Sequence, residues 1–323
     1  MGPGAAMILP IPDGFSVSWP LMVLILAVAM DLAFGEPPAR VHPVVLMGRL
    51  IGGLKRRARP TKGMGLLIAL FVILVAAGCG HLLITAADRV EMFGVGLGLF
   101  AAAYLLKSTI AIRCLLETSR DIGRLVERDL EGAKELLPAL VSRDPGGLTT
   151  TQATSAVIES LSENYVDAVV SPLFYYLLFS PFGLGVEAAL AFKATNTLDS
   201  MLGYRTEELR ELGWASAKID DLANWAPARL SLPMIAAARP LRAGEAARAA
   251  LRDHAKTPSP NSGWPMAAAA GSRGLSLEKP GVYVVGVGGR DPSTGEIKPA
   301  LRLVATAIGI AVAASALILL FVG

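Results

Sequence analysis

Cysteine is nearly missing from this 323-residue chain: Cys79 and Cys114 are the only two, and both fall inside apolar runs. That excludes a disulfide framework. Histidine is as scarce, and His42, His81 and His254 lie too far apart in sequence to offer a zinc-ligand spacing. Charge is thin as well. Charged residues make up 18% of the chain, against about 25% in soluble domains. The net charge of +3 is too small to argue for a nucleic-acid partner. There is no GxxxxGK[ST] phosphate loop, no G-x-S-x-G nucleophile elbow, and no internal repeat at a period of about 20–50 residues. The run Gly286-Val287-Gly288-Gly289 is glycine-rich, but alone it is weak support for a phosphate cradle.

What the chain has instead is apolar length. Hydrophobic residues reach 53% and the mean hydropathy is +0.52, concentrated in a few long runs. A membrane-crossing helix needs about 20 mostly apolar residues. Four segments qualify: Val17–Phe34, Met64–Thr85, Met92–Cys114 and Leu301–Gly323. The first does not read as a cleaved signal, because its basic cluster follows rather than precedes it. Between the first two spans lie Arg40, Arg49, Lys55, Arg56, Arg57, Arg59 and Lys62, which places that loop in the cytoplasm. Arg113, Arg120 and Arg124 return the chain inside after the third span, and both termini then face outward.

The middle of the chain leaves two alternatives open. Residues 169–192 form a fifth apolar run, interrupted by Ser180-Pro181-Phe182-Gly183, a strong breaker. Each half is about ten residues, or roughly 15 Å of helix. The run is either a re-entrant hairpin, favoured by the parity of the outer spans, or one kinked span. Residues 222–238 carry Pro227, Arg229 and Pro233 and read as an interfacial or re-entrant helix, and 239–299 as a loop-rich polar segment with short strands. The expected fold is therefore all-α: a polytopic helical membrane protein with about four full spans, re-entrant or interfacial helices and a cytoplasmic-facing polar layer. It forms a single integral membrane domain over residues 1–323.

Several polar groups in that layer can carry chemistry. Glu159, Glu163 and Asp167 recur every four residues in a segment that is helical by pattern from Thr150 to Val170, with Pro172 expected to end it. Like charges at that spacing repel, and beside an apolar run the cost rises unless a cation compensates. Mg2+ with a bound phosphate is a natural compensator; a solvated acidic face is the plainer reading. Lys193, Asn196 and Asp199 step by three, followed by Tyr204 and Arg205. Asp220, Asp221, Asn224, Trp225 and Arg229 form a third group, in which the aspartates can simply cap a helix but Arg229 in an apolar stretch points to an anion. Asn261, Gly263 and Trp264 sit in a turn-like SPNSGWP. Asp31 lies near the end of the first span, and Arg40 and His42 follow it, where a lone histidine is more often structural than catalytic.

Taken together, these stretches resemble one family, the adenosylcobinamide-phosphate synthases, the CbiB/CobD membrane proteins of cobalamin biosynthesis. The resemblance rests on DLAFGEPPARVHPVVLMG, SRD at Ser142–Asp144, ESLSENYVDAVVSPLFYYLL, NTLDSMLGYR, GWASAKIDDLANWAPARL and SPNSGWP, in the family's order from Asp31 to the last span. One departure is Met266, where an acidic residue often follows that last motif. The resemblance implies an enzyme that joins aminopropanol phosphate, or a related amino-alcohol phosphate, to a propionate carboxyl of adenosylcobyric acid, with ATP consumed. In that frame Glu159, Glu163 and Asp167 are expected to hold Mg2+ for ATP. Asp199, Asp220 or Asp221 would serve as general base or further ligands. Lys193, Arg205 and Arg229 would hold phosphates, and Trp225 and Trp264 would stack on adenine or on the corrin face. His42, Asn196, Asn224 and Asn261 complete the expected binding set.

Implied partners are the corrinoid, the amino-alcohol phosphate and the bilayer of a prokaryotic cell membrane, with all the polar groups on one cytoplasmic face where they can share a site. A corrinoid transporter is the alternative, although transporters commonly show repeated halves. A scaffold for other corrinoid-assembly enzymes is another.

Overall fold

The computed structural model describes residues 9–10, 16–92, 95–141, 145–204 and 206–322. Among the described residues there are fourteen α-helices: α1 (Trp19–Phe34), α2 (Pro43–Lys55), α3 (Lys62–Ala87), α4 (Leu97–Thr109), α5 (Ile112–Arg128), α6 (Leu130–Leu136), α7 (Thr150–Tyr165), α8 (Ser171–Phe179), α9 (Gly185–Leu202), α10 (Trp214–Ala223), α11 (Trp225–Ala238), α12 (Ala243–Asp253), α13 (Gly263–Arg273) and α14 (Ile297–Val322). The described strands come as antiparallel two-stranded pairs, the longest being Leu277–Lys279 with Tyr283–Val285. The all-α class expected from composition is the observed one.

Four helical runs are long and apolar enough to cross a membrane: Lys62–Ala87, Leu97–Arg128, Thr150–Phe182 and Thr294–Phe321. Three coincide with expected spans. The first expected span is a helix of 16 residues, about 24 Å long and short of a hydrocarbon core of about 30 Å. Its place among the four long runs is taken by Thr150–Phe182.

That run also corrects the expected helix end at Pro172. The proline lacks the N–H that would bond the carbonyl four residues back, and its ring crowds that carbonyl. The chain meets this with a π-helical turn over Val166–Val170. A π turn widens the helix by one residue, and it occurs where the regular ladder is interrupted. Helix α8 then continues through Pro172. The chain does turn at Ser180–Gly183, where Gly183 adopts φ 70° and α8 packs against α9. The arms are far longer than ten residues, because the apolar run stops where polar residues begin and the helices do not.

The chain divides into two compact units. The first comprises residues 1–111, 171–223 and 312–323. Its core is α3 packed on α9, with α4, α8 and α10 around them and α1 against α4. Close approach relies on small residues. A Cβ on Gly80 would lie 2.4 Å from Leu190 Cδ1, and one on Gly65 would lie 2.0 Å from the Leu212 carbonyl oxygen. Gly65, Ala69, Val72, Ala76 and Gly80 are the buried stripe of α3, while Leu67, Leu70, Phe71, Leu74 and Leu82 face outward. That outward set is what a lipid-facing helix needs.

The second unit comprises residues 112–170 and 224–311. Its central helix is α7, started by a Thr149–Gln152 capping box and buried without a break from Ala153 to Ser162. Helices α12 and α13 pack most closely: a Cβ on Gly271 would come within 2.5 Å of both Ala249 Cβ and the Glu245 carbonyl oxygen. Helix α11 has 14 residues, about 21 Å, and buries Pro227, Ala228, Ser231 and Ile235 along one face. The hydroxyl of Tyr165 donates to the Ser231 carbonyl at 2.9 Å and ties α7 to α11.

Candidate functional site

The expected site residues divide between the two units. In the first, α1 ends at a buried carboxylate, Asp31, and α4 brings Lys107 to it with Nζ 3.2 Å from Asp31 Oδ1. Lys107 also reaches Glu36 Oε2 at 3.1 Å. His42 closes the group: Nε2 is 2.8 Å from Glu36 Oε2, while Nδ1 accepts the Val44 N–H at 3.2 Å and caps α2. Because Nδ1 accepts, Nε2 carries the proton that is donated to Glu36. Burial works against the Glu36 charge, but hydrogen bonds from His42 and Lys107 outweigh it and hold its carboxyl below the usual carboxylate range. His42 thus stands as a cap and a carboxylate clamp. Lys107 was not among the expected residues, although a lysine within LGLFAAAYLLKST was a visible signal.

Lys193, Asn196 and Asp199 lie on α9, half-buried, with Lys193 Nζ donating to Asn196 Oδ1 at 3.4 Å. Asp199 folds over Gly203, where a Cβ would meet its Oδ1 at 1.9 Å. Asp220 and Asp221 lie on α10, which packs on α9. Asp221 pairs with Lys218 at 3.5 Å. The Tyr175 hydroxyl donates to the Ala223 carbonyl at 3.0 Å and pins the end of α10. Arg205, and the SRD motif at Ser142–Asp144, lie outside the described residues.

In the second unit the acidic stripe separates into two kinds of residue. Glu159 is buried and both its oxygens are engaged: Oε1 accepts from Ser155 Oγ at 2.7 Å and Oε2 from the Tyr283 hydroxyl at 2.8 Å. Ser155 Oγ in turn accepts the Glu278 N–H at 2.7 Å, so the strand pair is laced to α7 through this carboxylate. The Tyr283 hydroxyl also lies 3.7 Å from Met266 Sδ, which shows what the departure at 266 does: it fills the core beside Tyr283. Glu163 and Asp167 are only half-buried, and Asp167 falls inside the π-helical turn. Among the described residues no three His, Cys, Asp or Glu side chains are grouped to hold a metal ion, so the stripe is no ready three-carboxylate cage. Mg2+ bound through phosphate needs only one or two carboxylates, and Glu163 and Asp167 are the half-buried members of the stripe.

Arg229 is held by two tryptophans. Its guanidinium carbon lies 4.2 Å from the Trp225 ring centre and 5.1 Å from that of Trp264, and Nη1 donates to the Trp225 carbonyl at 2.7 Å. Burial lowers its pKa from the ordinary arginine value, yet arginine remains charged at any working pH. His254 stacks on Trp264 with ring centres 4.2 Å apart and planes 15° from parallel. Gly263 makes this possible, since a Cβ there would strike the His254 carbonyl oxygen at 2.1 Å. Trp264 is therefore occupied by His254 and Arg229 and offers little surface to a ligand, while Trp225 is 53% exposed and does. Asn224 and Asn261 are buried. Asn224 starts α11 through its carbonyl, which accepts the Ala228 N–H at 3.0 Å, and Asn261 shapes the turn before α13.

The glycine-rich run is not an open phosphate cradle. Asp253 Oδ2 accepts the Gly286 N–H at 2.7 Å and the Val287 N–H at 3.2 Å, and Asp253 also pairs with Arg252 and Lys256. Burial would raise the Asp253 pKa, but these donors hold it far below the usual carboxylate range. The glycines serve close packing: a Cβ on Gly286 would lie 2.1 Å from the Leu275 carbonyl oxygen.

Comparison with known proteins places this arrangement. A family model described as CobD/Cbib protein matches residues 24–313. A probable cobalamin biosynthesis protein CobD of Methanothrix thermoacetophila is 52% identical over 94% of this chain and 98% of its own length. One from Methanothermobacter thermautotrophicus is 39% identical over 84% and 88%. A cobalamin biosynthesis protein CobD of Pelobacter propionicus is 38% identical over 81% of both chains. No solved structure matches.

Proposed function

We propose that this chain, which belongs to the CobD/Cbib protein family, is a membrane-bound ligase that forms an amide between an amino-alcohol phosphate and a propionate carboxyl of adenosylcobyric acid, with ATP consumed. A role in cobalamin biosynthesis is the broad function of the family; the ligation is the step we assign. A carboxylate does not accept an amine at neutral pH. It first attacks the terminal phosphorus of ATP, releasing ADP and leaving an acyl phosphate. The amine, having given its proton to a carboxylate base, then attacks the acyl carbon and phosphate departs.

Such an enzyme needs fixed cations for phosphate and a base for the amine. The observation that supports this reading most is Arg229, immobilised by Trp225 and Trp264, because a clamped guanidinium presents its remaining donors to phosphate oxygens without losing freedom on binding. Trp225 supplies the exposed ring for stacking. Glu163 and Asp167 would hold Mg2+, which neutralises phosphate charge when bound. Lys193 and Arg205 are the further cations, and Asp199, Asp220 and Asp221 the candidate bases. We place the protein in the cell membrane with its polar face toward the cytoplasm, where ATP is found.

The test is turnover by purified protein in detergent with ATP, cobyric acid in its adenosylated form and aminopropanol phosphate, alongside Arg229→Ala. Amide product in step with ADP, lost in the variant, supports the assignment. Transport of corrinoid into vesicles with no product would favour the transporter reading.

A further inference from the structure

The first unit contains a cleft of about 490 Å3 whose walls are almost wholly apolar. Helix α3 supplies one long wall through Val72, Ala76, Cys79, Leu83 and Ala87. These positions keep to one narrow stripe and extend over 16 residues, about 22 Å of helix between the first and the last. Ala101 of α4 stands among the residues opposite, with Met47 of α2 and Leu190 of α9. Ala76, Cys79, Ala87 and Ala101 are its small lining residues, set among larger ones such as Leu46, Met47 and Leu190.

Its surroundings decide what enters. α3 and the run that begins at α4 are both helices long and apolar enough to span a membrane. Leu83 and Val41 on the cleft wall are more than half exposed, so the slot opens onto whatever surrounds the spans. The polar groups near it already have partners within the protein. The Tyr104 hydroxyl donates to the Val41 carbonyl at 2.8 Å, and His42, bonded to Glu36, lies between two lining residues, Val41 and Pro43. A long apolar slot open beside membrane-spanning helices has the form of a hydrocarbon chain.

We propose that this cleft is a lipid site that takes one hydrocarbon chain of a membrane phospholipid. No other part of the proposed ligation depends on it.

The two native cysteines provide the test, because both are exposed and only Cys79 lines the cleft. The full chain is delipidated in detergent and treated with N-ethylmaleimide while dioleoyl phospholipid is titrated in, and each cysteine peptide is followed by mass. Lipid at ten times its dissociation constant should slow Cys79 alkylation about tenfold and saturate, with Cys114 unchanged. Ala101→Phe, at a half-exposed position, should slow Cys79 without lipid and abolish the lipid response. Parallel slowing of Cys79 and Cys114, or no slowing of Cys79, overturns the proposal. So does an unaltered lipid response in Ala101→Phe protein that elutes as wild type.

Discussion

Lys107 Nζ stands 3.2 Å from Asp31 Oδ1, and both side chains are closed off from solvent at 2% and 0% exposure. An ammonium in an apolar helix is tolerated only when paired. Removing one member of a buried pair costs about 3–5 kcal/mol, whereas replacing both with apolar groups is often neutral. Lys107→Met should therefore lower the melting temperature in detergent sharply, and Lys107→Met with Asp31→Leu should recover most of the loss. Equal losses in the single and double variants would remove the pair as the cause.

Tyr283 and Glu159 meet at 2.8 Å across 124 residues of sequence. Tyr283→Phe removes the donor and leaves a buried carboxylate oxygen short of a hydrogen bond, which costs about 1–3 kcal/mol. Turnover should fall with stability if the strand pair positions α7 for catalysis. Melting and turnover measured together check this, and a variant with wild-type values for both would refute it.

Asp253 contributes to the acid behaviour of the second unit. Its carboxyl is held far below the ordinary carboxylate pKa in the folded state, so the stabilisation is complete above the unfolded value of about 3.9. It is lost as pH falls through that value toward the folded one. Asp253→Asn should be less stable than wild type at neutral pH, and the gap should narrow below about pH 4. A gap that stays constant down to pH 2 would point to packing instead of charge.

Arg229 tests the proposed phosphate contact. Arg229→Lys keeps the charge but loses the planar stack on Trp225 and Trp264, and lysine does not replace arginine at a stacked site. Arg229→Lys should lose most of the activity that Arg229→Ala loses, on the order of a hundredfold. Full activity of the lysine variant would show that charge alone suffices there.

Much of this structure was legible in the sequence, and the failures have physical causes. Three long spans follow from apolar length alone. The run Thr150–Phe182 was hidden by Glu159, Glu163, Asp167 and Pro172, which read as a polar helix with a stop. Burial of Glu159 under Tyr283 and a π turn before Pro172 make it continuous instead. The triplet Trp225, Arg229 and Trp264 was singled out by residue type, and the structure brings it together. The role of Tyr283 was invisible because its partner is 124 residues away. The run at Gly286 was rightly weak support for a phosphate cradle, because a glycine run that packs against backbone and one that binds an anion look the same in sequence.

The most direct measurement is product formation by the purified protein with Mg2+, ATP, adenosylcobyric acid and aminopropanol phosphate, followed by mass spectrometry and ADP release. The account predicts one adenosylcobinamide phosphate per ADP, with no product when either ATP or the amine is left out. Product formed without ATP, or ADP release with no amide, would contradict it.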